Sequence, residues 1–441
     1  MYQWYQNAAK CYAYFSDLAP DVDVKDALPN CRWFTRGWTL QELIAPEKVH
    51  FYNREWENIG SKHEFVDLIS SITGIHGDIL SGKLRVEYQS VATRMSWAAN
   101  RKTTRPEDLS YCLLGIFGVN MPLIYGEGSK AFRRLQEEII KHENDLTIFA
   151  WDRWQDEKVP WSLFSPSPSG YANTGGAIRH SRSLIDAAFS ITNRGLKLEN
   201  HVVVKMVSNS EDENQVRYCL ALGDLKDWCS DLYLQLAKVG PNVFVRDGPL
   251  LVSADDPLPG EPISSCHIHP SNLEDFERLY SSWKRAVHLT QHRQLNILAV
   301  RPESHWDETK RLFFGPLYGD TNSVFAALCE VNLGTSTVLV LMCLRFLYFQ
   351  PPICYLFNAT DDNQLLSYLF DYPRADKLSW ESIEKQYPEK CFLNQRLEIP
   401  LEESTFDISM TVRQGVVPGV STSEISSLTM SIEEKSDDEM Y

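Results

Sequence analysis

Hydrophobic positions follow different periods along the chain, and the helical period dominates between residues 1 and 151. Tyr2–Tyr14 predicts a helix, because its small alanine residues recur close to helical spacing. Thr39–Ile44 predicts a second helix, which follows a threonine cap at Thr35 and ends before a proline. Lys48–Tyr52 alternates between apolar and polar residues and predicts a short strand.

Two further helices are predicted from capping signals. Ser61–Glu64 has the pattern of a capping box before an apolar helical stripe, in which serine and glutamate bond each other's backbone amides. Thr104–Glu107 has the same pattern before a helix over Leu109–Phe117, and Gly118 predicts the end of that helix.

A helix is also predicted after Gly128, where Glu137 and Lys141 stand four residues apart and predict an ion pair. Its apolar face consists of Ala131, Phe132, Leu135, Ile139 and Ile140. Strands that alternate with helices predict an α/β layer for the first part of the chain.

The pattern after Trp151 changes to short alternating runs broken by Pro, Gly, Ser and Asn, which predicts a β-rich domain of sandwich or barrel type. Val338–Phe349 is the longest apolar run there. It is far shorter than the roughly 20 residues of a membrane-spanning helix, and Arg345 lies within it, so it predicts a buried strand. Ser421–Tyr441 is rich in serine and acid and predicts disorder.

Together these patterns predict an α+β chain with three segments. The expected bounds are 1–151 for the α/β layer, 152–400 for the β-rich accessory domain and 401–441 for the disordered tail.

Composition narrows the class of function. The formal net charge of -16 and the pI near 5.2 disfavour a nucleic-acid binder, which needs a basic face to displace counterions. No secretory pattern precedes the first helix, and the ten cysteines contain no C-x-x-C pair and no zinc spacing. We therefore expect free thiols, a cytoplasmic location and no bound metal.

Aromatic-rich motifs follow one another through the first 151 residues, and in this order they closely resemble the later part of the fungal heterokaryon-incompatibility (HET) domain. The motifs are Trp4-Tyr5, Cys11-Tyr12-Ala13-Tyr14, Trp33-Phe34-Thr35-Arg36-Gly37-Trp38-Thr39-Leu40-Gln41-Glu42-Leu43, Arg94-Met95-Ser96-Trp97-Ala98-Ala99, Tyr111-Cys112-Leu113-Leu114-Gly115-Ile116-Phe117 and Met121-Pro122-Leu123-Ile124-Tyr125-Gly126-Glu127-Gly128. A second, weaker resemblance joins Leu146–Trp151 and Thr192–Leu196 to the uncharacterised β-rich domain that often follows HET domains.

The family pattern normally starts with two strands that carry a Leu-Ser-His-x-Trp-Gly type and a Trp-x-Asp-x-x-Cys-Ile-Asp type motif, and neither occurs here. Compared with that pattern, the chain looks N-terminally shortened. The resemblance implies a partial TIR-like or flavodoxin-like three-layer domain that lacks its first strands.

Glu42 is the candidate catalytic residue. Trp38-Thr39-Leu40-Gln41-Glu42-Leu43 is similar to the Trp-Cys-x-x-Glu-Leu string of TIR domains, whose glutamate is the catalytic acid in members that cleave NAD. A carboxylate suits this reaction because it stabilises the oxocarbenium-like charge that develops as nicotinamide leaves. The alternative is a helix residue that is merely solvated beside Arg36 or Lys48, since exposed carboxylates are common and functional ones are rare.

Arg36, Trp38 and Trp33 are the candidate nucleotide contacts beside Glu42. Arg36 offers bidentate hydrogen bonds to a phosphate. The two tryptophans could wall a nucleotide cleft, although large aromatic side chains more often build the core. No cofactor is expected, and NAD enters only as a substrate.

Two other patterns carry less weight. Gly126–Lys130 resembles part of a phosphate loop, but the full G-x-x-x-x-G-K-[ST] pattern is absent and a tight turn before a helix is the favoured interpretation. The histidines share no spacing and stand beside no evident nucleophile, which gives acyl-transfer chemistry no support.

The resemblance implies a protein of vegetative (heterokaryon) incompatibility, a form of fungal innate immunity, which triggers programmed cell death after non-self recognition. Its expected partners are a second copy or another incompatibility protein, with no nucleic acid and no membrane span. Whether it is an enzyme stays open between NAD cleavage by the intact protein, a non-enzymatic self-associating module and an inactive remnant. In the chain as it stands, we expect no turnover.

Overall fold

The computed structural model divides the chain into two compact units. They are Met1–Ala237 with Phe244–Leu273, and Lys238–Val243 with Glu274–Tyr441. The structure describes residues 1–153, 160–178, 188–209, 212–225, 230–253, 260–279, 286–316, 322–334, 336–347, 351–361, 363–370, 379–386, 396–401, 405–417, 420 and 425–435.

The α-helices are short, and most of them lie in the first unit. They are α1 (Tyr2–Gln6), α2 (Val24–Ala27), α3 (Thr39–Ile44), α4 (Val66–Thr73), α5 (Gly77–Leu80), α6 (Val91–Ser96), α7 (Asp108–Tyr111), α8 (Leu114–Phe117), α9 (Lys130–His142), α10 (Leu273–Leu279), α11 (Asn363–Phe370) and α12 (Trp380–Gln386). Within the described residues, no helix is long and apolar enough to cross a membrane.

The β-strands dominate the chain after residue 176. They are β1 (Cys11–Tyr14), β2 (Val49–Tyr52), β3 (Asn58–Ser61), β4 (Ala177–Ile178), β5 (Phe189–Thr192), β6 (Gly195–Asn209), β7 (Asp212–Leu225), β8 (Ser230–Gly240), β9 (Val243–Ser253), β10 (Gly260–Ile268), β11 (Ala286–Leu289), β12 (Leu295–Arg301), β13 (Trp306–Asp307), β14 (Leu312–Phe314), β15 (Val324–Asn332), β16 (Thr337–Arg345), β17 (Ile353–Asn358), β18 (Arg396–Pro400), β19 (Thr405–Gly415) and β20 (Ile425–Lys435).

The first part of the chain contains a small sheet of order β1-β2-β3, with β1 and β2 parallel. The predicted helix over Tyr2–Tyr14 is therefore wrong in its second half, because only Tyr2–Gln6 is helical. Ala13 is buried at 1% exposure while Tyr12 points outward at 60%. This alternation suits strand pairing, which outweighs local helix propensity here.

The predicted bounds of α3, the predicted end of α8 and the predicted capping box before α4 are confirmed. Thr39–Ile44 is helical as predicted, and the left-handed Gly118 (φ 64°) ends α8. The amide of Ser61 bonds the Glu64 carboxylate at 2.6 Å, and the Glu64 amide donates to the Ser61 hydroxyl at 3.4 Å, which confirms the capping box one turn before α4.

Three local predictions are wrong. Thr35 does not cap α3, because Thr39 itself bonds the preceding carbonyls. No side chain caps α7, because Glu107 is engaged elsewhere. On α9, Nε of Arg133 forms an ion pair with Oε1 of Glu137 at 2.6 Å. The predicted ion pair between Glu137 and Lys141 therefore does not form.

The β-rich region contains both of the predicted architectures. In the first unit, β6 to β10 form a closed ring, since the order β7-β8-β9-β10-β6 is completed by a direct β6–β7 pairing. In the second unit, a sheet of order β13-β14-β11-β20-β19-β18 and a sheet of order β12-β15-β16-β17 share one apolar core. The predicted strand within Val338–Phe349 is confirmed as β16.

The compact units differ from the three predicted segments. Residues before Trp151 share one hydrophobic core with the β-ring, because Leu146–Trp151 is buried in the same cluster as ring residues such as Leu220. The tail also differs from the expectation. Thr405–Gly415 and Ile425–Lys435 pair as β19 and β20, with apolar side chains in the sandwich core. Residues 436–441 lie outside the described residues.

Candidate functional site

The loop before α3 is held by buried polar contacts. The Thr39 hydroxyl donates to the carbonyls of Trp33 (2.6 Å) and Arg36 (2.8 Å), which closes the turn into the helix. The amide of Gly37 donates to the carbonyl of Lys102 at 2.9 Å. A Cβ added at Gly37 would stand 2.5 Å from Cγ2 of Thr103, so only glycine fits this close approach.

Arg101 fixes the same loop from the other side. Its side chain is buried and donates to the carbonyls of Trp97 (3.0 Å) and Arg36 (2.9 Å) and to the hydroxyl of Thr39 (3.0 Å). Burial lowers the pKa of the guanidinium to about 10, against the opposing effects of Cys112 and Glu42. No carboxylate in the described residues forms a salt bridge with Arg101, so Glu42 acts on it as a nearby negative charge without a direct bond between the two side chains.

Glu42 is half-buried on α3 and accepts a hydrogen bond from the hydroxyl of Tyr5 at 3.2 Å. Burial, together with the Glu42 charge, raises the pKa of Tyr5 to about 12, so the phenol stays protonated and keeps donating. Burial and the same charge raise the pKa of the Cys11 thiol. The carboxylate therefore lies in a partly desolvated environment with a fixed donor.

The far end of α3 is capped by Lys62. Its ammonium group donates to the carbonyls of Pro46 (2.6 Å) and Leu43 (3.2 Å). The last carbonyls of a helix have no hydrogen-bond donor within the helix, and Lys62 supplies one. Burial lowers the pKa of this lysine to about 8. Lys62 thus fixes the helix that carries Glu42.

A cleft of about 860 Å³ opens beside α3. Trp38, Gln41 and Ala45 line it from one helix face, at the spacing i, i+3 and i+7. The remaining lining residues are Met1, Tyr2, Gln3, Gln6, Ile44, Ile79, Gly82, Leu84, Arg85, Val86, Glu87, Tyr111, Leu114, Gly115, Gly118, Val119, Asn120 and Leu123. Its volume falls in the range of small-molecule sites.

The four predicted site residues do not all meet at this cleft. Trp38 lines it, whereas Glu42 is its neighbour on the helix and turns its carboxylate to Tyr5. Arg36 is exposed, and it joins the loop contacts through its backbone, since its amide donates to the carbonyl of Trp33 (3.4 Å) and its carbonyl accepts from Arg101. Trp33 is 6% exposed and lies outside the cleft lining. Its ring contacts are Phe15 (5.5 Å), Phe34 (5.1 Å) and Phe51 (6.1 Å).

The glycines before α9 form a tight turn, as predicted. One carboxylate oxygen of Glu107 accepts hydrogen bonds from the amides of Gly126 (2.7 Å) and Gly128 (2.9 Å). Glu127 accepts from Arg134 at 2.5 Å and from Tyr111 at 3.2 Å. The amides that a phosphate loop would offer to an anion are therefore taken by the protein's own carboxylate.

Sequence reasoning missed Tyr5, Gln41, Lys62 and Arg101 as members of the site. The Gln41 amide donates to the carbonyl of Cys112 at 2.5 Å, and its buried oxygen has no hydrogen-bond partner among the described residues. Arg101 follows shortly after the Arg94–Ala99 motif, which is the only signal in the sequence that could have drawn attention to it.

The described part of the chain contains no group of three or more His, Cys, Asp or Glu side chains that could hold a metal ion. Its cysteines are free thiols, of which Cys112 is buried with its pKa raised by burial to about 12. A thiol with so high a pKa is a poor nucleophile at neutral pH.

Two comparisons place parts of the chain among known proteins. Residues 130–192 match the family model described as a domain of unknown function, DUF8212. The vegetative incompatibility protein HET-E-1 of Podospora anserina is 47% identical over 154 residues, which cover 33% of this chain and 11% of that protein. No solved structure matches. The resemblance to fungal vegetative incompatibility proteins that the aromatic motifs predict is therefore confirmed over this part of the chain.

Proposed function

We propose that this chain takes part in fungal vegetative incompatibility and that the region around α3 is its effector site. The observation that carries the proposal is the 47% identity over 154 residues to the vegetative incompatibility protein HET-E-1. The match covers only 11% of that relative, so the activity of the whole relative is not transferred to this chain. The effector step that we propose is regulated cell death.

Growth of fungal cells that express residues 1–441 from an inducible promoter tests this role. Expression should arrest growth or kill the cells. Gly37→Ala should relieve the arrest, because the new Cβ would lie 2.5 Å from Thr103 and displace the loop before α3. Gly176→Ala is the matched control, because its Cβ meets nothing within 4 Å. Growth equal to that of an empty vector with the unaltered chain would remove the proposal's support.

As the chemical form of this role, we propose TIR-like cleavage of NAD at Glu42. We propose it for the chain as given, in place of the sequence-based expectation of no turnover, because the cleft and the Tyr5–Glu42 hydrogen bond both lie within this chain. Glu42 stands four residues after Trp38 and three before Ala45 on the same helix, so it neighbours the residues that line the cleft without lining it itself. Its carboxylate is half-buried. Arg101, which forms no salt bridge among the described residues, lies close enough to interact with this carboxylate electrostatically. Partial desolvation strengthens the interaction of a carboxylate with a developing positive charge.

The reaction would break the bond between C1′ of the ribose and the nicotinamide nitrogen. The electron pair leaves with neutral nicotinamide, and the positive charge on the ribose is stabilised by Glu42. Water then adds its oxygen to C1′ and releases a proton, which gives ADP-ribose. Trp38 would stack on a ring of the dinucleotide at the cleft wall, and Arg36 would pair with its phosphates from the exposed side.

Non-enzymatic self-association is the rival form of the same role. It needs an exposed surface that fits a second copy and makes no use of the Glu42 charge. Nicotinamide release by the purified chain separates the two forms, because only the enzymatic form depends on the carboxylate.

A further inference from the structure

The connection between α8 and α9 carries the one run of three consecutive exposed large apolar side chains in the described part of the chain. Leu123 is 55% exposed, Ile124 50% and Tyr125 48%. Pro122 and Gly126 on either side of them are exposed as well, so residues 122–126 protrude from the surface and are called the apolar loop below. Single exposed apolar side chains are ordinary, whereas a contiguous group of them marks an interaction site.

Buried side chains hold the apolar loop in one conformation. The hydroxyl of Tyr111, which is 2% exposed, accepts a hydrogen bond from the amide of Ile124 (2.8 Å) and lies 2.9 Å from the carbonyl oxygen of the same residue. The guanidinium of Arg134 donates to the carbonyl of Pro122 at 2.8 Å. A loop that is ordered in this way has little conformational entropy to lose when it binds a partner.

Tyr125 presents an apolar ring and keeps its polar end bonded. Its hydroxyl donates to Oδ1 of Asp108 at 3.0 Å, and the guanidinium carbon of Arg105 lies 4.7 Å from the centre of its ring. An amphipathic aromatic ring beside a long cationic side chain is the combination that anchors proteins at the boundary between water and lipid.

The charge near the apolar loop is positive, although the whole chain has a formal net charge of -16. Residues 101–134 contain six Lys and Arg against three Asp and Glu. The three acids are already hydrogen-bonded within this region, and they are Glu107, Asp108 and Glu127. Arg105 and Lys130 are exposed, and neither forms a salt bridge with a described residue. Salt screens charges more than about 8 Å apart, so a surface that approaches the loop interacts with these cations rather than with distant acids.

We propose that the apolar loop docks on the surface of an anionic membrane. Leu123 and Ile124 enter the boundary between the headgroups and the acyl chains, while Arg105 and Lys130 contact the lipid phosphates. A protrusion that is exposed on all sides fits a fluid lipid surface, which closes around it, whereas an acidic protein segment would fit a groove. The attachment is peripheral. It uses only residues 105–134 and does not rest on the incompatibility role or on Glu42.

Sedimentation of the purified full chain with lipid vesicles tests this docking. One set of vesicles contains phosphatidylcholine alone, and in the other set one-third of the lipid is phosphatidylserine. The chain should sediment with the second set and stay in the supernatant with the first, and added salt should weaken the binding. Arg105→Gln with Lys130→Gln should weaken it about fivefold for each cation removed. Lys385→Gln with Arg413→Gln removes the same charge from exposed positions in the second unit and should leave binding unchanged.

Leu123→Ser with Ile124→Ser tests the apolar contribution and should weaken binding to the anionic vesicles about tenfold or more. Its matched control is Leu298→Ser with Val416→Ser, which removes two isolated exposed apolar side chains, 48% and 56% exposed, and should have no effect. Thermal unfolding of each variant shows that the fold is retained, as expected for exposed positions.

A loop that recognises an acidic protein segment instead would leave the chain in the supernatant with both kinds of vesicle, and this result would overturn the proposal. Equal binding to the two kinds of vesicle, or an equal loss of binding in the loop variants and their controls, would also overturn it.

Discussion

The hydroxyl of Tyr5 donates a hydrogen bond to Oε1 of Glu42 over 3.2 Å, across a sequence separation of 37 residues. The bond joins helix α1 to helix α3 and keeps the carboxylate oriented beside the cleft. A second contact ties α1 to the same region, because a Cβ on Gly115 would stand 2.1 Å from the Cβ of Tyr2. Helix α1 thus positions the candidate catalytic residue while it forms part of the cleft wall.

Trp33 gives a stability prediction. Its indole packs against Phe15, Phe34 and Phe51, and it lies outside the cleft lining. Trp33→Phe should lower the free energy of unfolding by about 1–3 kcal/mol, because the smaller ring leaves a gap in a packed core. Trp38→Phe, at the half-buried cleft wall, is the matched control and should cost less. Chemical denaturation measures both changes, and equal costs would contradict the assignment of Trp33 to packing.

Lys62 gives a pH prediction. Its pKa in the folded chain is about 8, against the ordinary value of 10.5 for a lysine. Between these values the unfolded chain binds more protons than the folded chain, so this group makes stability rise with pH. Below pH 8 the full cost of burying the charge is present, and it disappears as pH rises to 10.5. The slope is at most about 1.4 kcal/mol per pH unit.

Lys62→Met removes this slope, and the difference in unfolding free energy between wild type and variant should change across the window. The variant should also be less stable by about 1–3 kcal/mol at high pH, since the carbonyls of Leu43 and Pro46 lose their donor. The exposed Lys48→Met is the control and should leave the slope unchanged. A parallel pH profile for Lys62→Met and wild type would show that Lys62 titrates normally.

Local sequence signals were sufficient where a few neighbouring residues decide the structure. Thr39–Ile44, the end of α8 at Gly118 and the apolar face of α9 depend on periodicity and on one left-handed glycine, and they were predicted correctly. The helix predicted over β1 is wrong because the alternating burial of this strand arises only from its pairing with β2. Cys11 pairs with Val49, which lies 38 residues later in the sequence. The residues around Cys11 alone do not indicate such a distant strand partner.

The site was predictable only in part for a related reason. Trp38 lines the cleft and Glu42 lies beside it, and both follow from one short string. Arg101 could not be predicted, because a buried guanidinium satisfied by backbone carbonyls has no paired carboxylate in the sequence to indicate it. The sequence predicts that Glu107 is part of a capping box. Its carboxylate instead accepts hydrogen bonds from the amides of Gly126 and Gly128.

Glu107 therefore gives an acid-stability prediction. Hydrogen bonds from the amides of Gly128 and Gly126 hold the pKa of its carboxyl below the ordinary value of 4.5. Its stabilising effect is present above pH 4.5 and is lost as pH falls through the lowered pKa. Glu107→Gln should lower the Tm at neutral pH, and the gap to wild type should close on acidification. The exposed Glu55→Gln is the control, and a gap that is constant with pH would contradict the assignment.

The last prediction separates the enzymatic from the non-enzymatic form of the proposed role. Glu42→Gln keeps an oxygen that can accept from Tyr5, so the free energy of unfolding should change little, while the negative charge is lost. If that charge stabilises the ribose cation, nicotinamide release from NAD should fall by about 10² to 10³. The readouts are nicotinamide released by the purified full chain and the NAD level of cells after induction.

Glu47→Gln is the matched control, because it removes an exposed carboxylate just beyond the same helix and should leave turnover unchanged. Failure of the unaltered chain to release nicotinamide, in cells whose growth it still arrests, would remove Glu42 chemistry and leave self-association as the effector step. Equal release by wild type and Glu42→Gln would place the catalytic charge at another residue. Loss of release together with a lower Tm in Glu42→Gln would assign Glu42 a structural role, since the charge change alone should not affect folding when the Tyr5 bond is retained.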